Sequence, residues 1–241
     1  MWTDDGAGAT AGTMSASVSA PTQTHRAPSG AGIDLDQVSV VTLEGRWYRQ
    51  TAPRYGALFL PHRASRGGRC HRQGKEARLY ASSTKNTAWS ELFRHTIPEV
   101  SPFEVKRRMS ELWVAGLPVV DFLEPETQAM FDVTERALVS NNVGAARKLT
   151  DLLRQRPDRF GGLVLPSAAV PGEETLVVFR EWIESHVFVE KSRVSTPSLR
   201  LLRLLESVIE TLPPIARTSA RRLLLEIRRE LAARLDASER R

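Results

Sequence analysis

The chain has a single cysteine, Cys70, among 241 residues. It can close no internal disulfide and has no second thiol for a metal-binding pair, as expected in a reducing compartment. Long apolar runs are also missing. None approaches the roughly 20 residues that a membrane helix needs, so no membrane span is expected. Residues 1–33 lack the basic start and apolar stretch of a secretory signal, and the expected location is the cytoplasm. Neither a Gly-x-Gly-x-x-Gly run nor a phosphate-loop signature occurs, which argues against a dinucleotide held as a redox cofactor. His62, His71, His95 and His186 show no close pairing with carboxylates, so a catalytic metal is not expected. The Pro166-Ser167-Ala168 turn lacks the Gly-x-Ser-x-Gly elbow that exposes a nucleophilic serine.

What remains is an ordinary globular composition, 41% hydrophobic and 26% charged, long enough for one good core with appendages. Residues 1–33 are small, without periodic apolar positions, and should be disordered. The net charge of +6 is uneven: residues 193–241 hold eleven arginines and no lysine against five glutamates and one aspartate. Such a tail could contact nucleic acid or an acidic protein. Because its acids are interleaved with its arginines, a solvated helix face is the simpler reading.

Along the chain, Arg46-Trp-Tyr-Arg-Gln-Thr51 reads as a strand ending before Pro53, and Pro61–Gly74 as an Arg- and Gly-rich loop. Ala77–Ser82 is a short strand, after which Ser83 or Thr84 can cap a helix through Trp89, Leu92 and Phe93. In residues 103–123, Gly116 and Pro118 are expected to break the apolar stretch into two strands. The apolar spacing of Ala145, Leu149, Leu152 and Leu153 predicts a helix ending before Pro157. Buried strands are expected at Gly162–Leu165 and Thr175–Phe179. Two amphipathic stripes follow, Leu202, Leu205, Ile209, Leu212 and Leu224, Ile227, Leu231, Leu235, separated by Pro213-Pro214. The expected organisation is a disordered segment at 1–33, an α+β catalytic domain at 34–191, and an Arg-rich helical hairpin at 192–241.

The informative pattern is a spacing. Arg49 lies 20 residues before Arg69, Arg69 lies 11 before Tyr80, and Tyr80 lies 11 before Glu91, with Ser167 far downstream. Arg49 ends the aromatic run Trp47-Tyr48; Arg69 closes Gly67-Gly68-Arg69, with Gly74 beyond it. Tyr80 is in Leu79-Tyr80-Ala81 and Glu91 in Ala88-Trp89-Ser90-Glu91. The last element runs from Phe160-Gly161-Gly162 to Pro166-Ser167-Ala168. Five elements in this order, over residues 46–179, resemble the RES domain family of NAD-degrading bacterial toxins. The sequence departs from the family at Gln50, Ala169 and Gly172-Glu173.

The resemblance implies a compact ADP-ribosyltransferase-like mixed sheet with flanking helices, and NAD as a substrate rather than a cofactor. It implies cleavage of the nicotinamide–ribose bond, with water, phosphate or a macromolecule as acceptor, and an antitoxin partner of helix-turn-helix type. A non-catalytic protein binding through its basic tail is the reading from another class. By themselves, the arginines would be surface residues, Glu91 a solvated helix residue, Tyr80 a core tyrosine and Ser167 a turn residue. Their chemistry nevertheless suits the substrate. Forked guanidinium donors such as Arg49 and Arg69 grip pyrophosphate oxygens in pairs. Breaking the glycosidic bond builds positive charge on the ribose, which a carboxylate such as Glu91 stabilises. The resemblance gives Tyr80 a stacking role on nicotinamide and Ser167 a hydrogen bond to ribose or phosphate, with His71 a further ligand contact.

Overall fold

The computed structural model describes residues 32–64, 67–96 and 105–195, and in the C-terminal segment 208–212, 214, 216–218, 220–222, 224–225 and 229. The stretch expected to be disordered lies outside these residues except for Gly32 and Ile33. The elements run β1 (Val41–Thr51), β2 (Leu79–Ser82), α1 (Lys85–Thr96), β3 (Arg107–Asp121), α2 (Pro125–Met130) and α3 (Glu135–Val139). They continue with α4 (Gly144–Leu153), β4 (Gly162–Pro166), β5 (Glu174–Val178), α5 (Ile183–His186) and β6 (Val187–Ser195). The strands form one mixed sheet in the order β1-β2-β5-β4-β3-β6. Because β1 also pairs with β3, the first five close into a ring and β6 lies outside it along β3. The β3–β4 pair is parallel, and the other pairings are antiparallel.

Strand β4 is buried at every position and β5 at all but its first, so both faces are covered, as their unbroken apolar runs predict. One side of the core gathers Phe122, Phe160, Leu163 and Phe179; another gathers Trp47, Leu79, Leu112 and Leu176. Helix α4 buries Leu149 and Leu153 of the expected face, with Ala146 and Thr150 beside them, while Ala145 and Leu152 are only half-buried. Thr84 caps α1, accepting from the Thr87 amide at 3.1 Å.

The expected break in residues 103–123 does not occur: β3 is continuous through Gly116 and Pro118. Gly116 takes φ +66°, and the facing strand shifts register between Leu43 and Gly45. Glycine supplies the left-handed backbone of a bulge, so the strand bends instead of ending. Sequence periodicity passed over α2 and α3, which are too short to repeat an apolar pattern, and β6, which is exposed along most of its length. Strand β6 also runs through Lys191, where composition had placed a boundary. The expected hairpin lies partly outside the described residues. Val208, Ile209, Leu212, Ala220 and Leu224 from this segment are buried against Ala88, Trp89 and Phe93 of α1 and Met109 of β3. The tail therefore packs on the helix that carries Glu91.

Candidate functional site

Four of the predicted residues meet in one cleft of about 300 Å³: Arg49, Arg69, Tyr80 and Glu91. Strand β1 supplies Arg49, β2 Tyr80, α1 Glu91, and the loop before β2 Arg69. Helical spacing puts Ala88, Glu91 and Leu92 on the same lining face, with Trp89 and Phe93 turned to the C-terminal residues. Alternation along β2 and the residue before it brings Arg78 and Ser82 in with Tyr80, and Thr175 enters from β5 across from Ser82. These last three were missed in the sequence. Alternation from Tyr80 could have found Arg78 and Ser82, whereas Thr175 needs the strand pairing.

The electrostatics are lopsided, with three arginines and one carboxylate lining the cleft. Arg49 is 9% exposed, and its Nη2 donates to the Phe59 carbonyl at 2.9 Å. Burial pushes its pKa down to about 10, so it remains a cation at neutral pH. Its Nε is buried without a hydrogen-bond partner among the described residues, as is that of Arg78. Arg78 donates to the Glu76 carbonyl at 2.9 Å and to its carboxylate at 3.2 Å. Burial and then the neighbouring Arg154 lower its pKa. Arg69 donates to the Leu138 carbonyl, and Arg94 to the Val139 carbonyl at 3.3 Å and to Asn141 at 2.7 Å. These two arginines thus satisfy the carbonyls that end α3. Burial, and after it Arg69, lowers the pKa of Arg94.

Glu91 is held from behind. Its Oε1 accepts from the Ser167 hydroxyl at 2.7 Å, the Ala168 amide at 3.0 Å and the Ala169 amide at 3.3 Å. Ser167 is 4% exposed, and its Oγ also accepts from the Ala169 and Val170 amides, each at 3.2 Å. The structure thus sets Ser167 behind the carboxylate instead of among the cleft-lining residues. The departure at Ala169 leaves this arrangement intact, because the backbone amide makes the contact. Gln50, a departure that does line the cleft, accepts from Arg107 at 2.6 Å.

His71 is likewise one layer back. Its Nδ1 lies 2.8 Å from the Tyr80 hydroxyl, which also accepts from the Cys70 amide at 2.9 Å. Burial raises the Tyr80 pKa well above the ordinary phenol value, so the hydroxyl stays protonated. This hydroxyl ties β2 to the 68–71 loop and so sets the position of Arg69. A side chain at Gly68 would press on the His71 ring, which Tyr80 holds, so glycine leaves room for that ring in the loop. Cys70 is fully enclosed, and burial raises its thiol pKa to about 11. Among the described residues, no group of three or more His, Cys, Asp or Glu could hold a metal ion, and no helix is long and apolar enough to cross a membrane.

A cationic cleft around one oriented carboxylate can bind a polyanion and stabilise positive charge arising next to it. Comparison with known proteins points the same way. The RES domain family model matches residues 41–201. A curated relative from Mycobacterium tuberculosis (strain ATCC 25618 / H37Rv), named "Probable NAD(+) phosphorylase Rv3189", is 34% identical over 191 residues, covering 78% of this chain and 88% of that protein. A chain in the crystal structure of the M. tuberculosis MbcT-MbcA toxin-antitoxin complex superposes with a TM-score of 0.58 at 15% identity, covering 68% of this chain and 91% of that one. At that identity the likeness is one of fold.

Proposed function

Because this chain belongs to the RES domain family, we propose that it is an NAD phosphorylase, cleaving the nicotinamide–ribose bond and passing the ribosyl carbon to phosphate. The observation that carries this reading is Glu91, its carboxylate fixed by Ser167 and two amides in a cleft lined by three arginines. Arg49 and Arg69 grip the pyrophosphate of NAD, which places the nicotinamide riboside beside Glu91. The bond from C1 of the ribose to the ring nitrogen breaks, and its electron pair returns to that nitrogen, releasing neutral nicotinamide. Positive charge grows on the ribose and is met by the Glu91 carboxylate. A phosphate oxygen then supplies the pair that forms the new bond to C1. Phosphate arrives already deprotonated, so no general base is required. The relative's name supports phosphate as the acceptor.

The same reading gives the protein the role of a toxin acting in the cytoplasm on an ADP-ribosyltransferase-like scaffold. Its antitoxin, of helix-turn-helix type, would cover the cleft. The toxin–antitoxin fold neighbour supports such a partner. Induced expression in a bacterial host tests the activity. Cellular NAD should collapse with the wild-type chain and hold steady with Glu91→Gln at equal protein level. Unchanged NAD under the wild-type chain overturns the proposal.

A further inference from the structure

Besides the Nε atoms of Arg49 and Arg78, one buried cleft hydroxyl is left unpaired among the described residues, that of Thr175. The residue is 7% exposed. Buried hydroxyls are normally paired, and one left unpaired beside a cleft is relieved by a polar group of the ligand. Across the β2–β5 pairing its register partner is Ser82, 5% exposed and also lining the cleft. Ser82 in turn faces Tyr48 of β1, while Ala88 and Leu92 of α1 flank Glu91. On its other side Thr175 pairs with Leu165, two residues before Ser167, which holds Glu91. The two hydroxyls therefore belong to the Glu91 end of the cleft.

Resting on the NAD reading above, we infer that Ser82 and Thr175, walled by Tyr48, Ala88 and Leu92, form the recess for the nicotinamide ring and its carboxamide. The fit is chemical. A carboxamide is neutral and offers both a carbonyl acceptor and N–H donors, and each hydroxyl can donate and accept. An aromatic ring suits an apolar wall, whereas an anion is better served by the arginines. The Tyr80 hydroxyl is committed to Cys70 and His71, so the carboxamide is held by the β2–β5 pair instead. The recess also sets specificity. A pyridine ring bearing a carboxylate would have no N–H to donate to the hydroxyls and would bring its charge toward the Glu91 carboxylate, and so bind poorly.

Ligand-observed NMR titrations of nicotinamide and of ADP-ribose, run separately on wild type, Thr175→Val, Thr175→Ser and Ser82→Ala, test this. Thr175→Val keeps the shape and removes the hydroxyl. Nicotinamide affinity should fall about 5- to 10-fold, as expected for one lost hydrogen bond, with ADP-ribose affinity unchanged within about twofold. Thr175→Ser should restore nicotinamide binding, and Ser82→Ala should reproduce the selective loss. Unchanged nicotinamide affinity in Thr175→Val, a fall in ADP-ribose affinity instead, or a wild type that binds ADP-ribose but not nicotinamide overturns the assignment. Wild-type NAD turnover is measured in parallel. Absent turnover with the selective binding pattern counts against the proposed activity alone, and turnover with unchanged nicotinamide affinity counts against the recess alone.

Discussion

Glu91→Gln separates charge from shape. Glutamine keeps a carbonyl oxygen where Oε1 accepts from Ser167 and the Ala168 and Ala169 amides, so α1 and the 167–170 turn should stay as they are. What is lost is the negative charge facing the ribose. At about 4 Å and an effective dielectric near 20, a full pair of unit charges interacts by ~4 kcal/mol. If roughly two thirds of a unit charge has developed on the sugar at the transition state, the loss is ~3 kcal/mol. At 1.36 kcal/mol per decade that is about a hundredfold in rate. The assay is steady-state NAD consumption alongside ADP-ribose affinity, which should change by less than about threefold because the arginines hold the pyrophosphate. A folded Glu91→Gln protein that consumes NAD at the parental rate refutes the electrostatic argument.

Arg69 donates to the Leu138 carbonyl, and in the proposed reading its remaining donors grip phosphate, so Arg69→Ala should act chiefly on binding, raising the KM for NAD more than it lowers kcat; a kcat collapse at unchanged KM would contradict this. Tyr80→Phe removes the hydroxyl that joins the Cys70 amide and His71 to β2. It should cost about 1–3 kcal/mol of stability, read as a lower Tm, and weaken NAD binding through the displaced Arg69; an unchanged Tm would show that the loop is held by other means. Ending the chain at Ser195 strips Val208, Ile209 and Leu212 from Trp89 and Phe93, each buried aliphatic contributing ~1.5–3 kcal/mol. Such a truncation should melt earlier and lose activity, and full turnover from it would show the tail to be dispensable. Burial sets the Arg49 pKa at about 10, below the ordinary arginine value. Its charge is therefore complete below that pH and lost as pH rises through it, and NAD affinity should fall in that range; affinity flat to about pH 11 would remove Arg49 from the grip. The stability effect runs the opposite way: burying this cation destabilises the fold at neutral pH, and the cost shrinks above pH 10.

The cleft was legible where chemistry is local in sequence. Arg49, Arg69, Tyr80 and Glu91 each end or punctuate a short readable element, and the structure gathers all four. The strand–cap–helix run from Ala77 to Phe93 was readable because Thr84 caps α1 as its residue type predicts. Relationships between distant segments were hidden. That Ser167 reaches Glu91, that Ser82 faces Thr175, and that the tail covers Trp89 all depend on strand register or tertiary packing, which no local pattern encodes. Gly116 misled for a physical reason: a glycine that ends a strand and one that bends it at a bulge look alike in sequence.

Phosphorus NMR of the purified protein with NAD and excess phosphate shows whether this cleft exchanges nicotinamide for phosphate on NAD. A new sugar-phosphate signal should grow in step with released nicotinamide while the pyrophosphate signals persist. An NAD spectrum unchanged after prolonged incubation with folded protein would contradict that exchange.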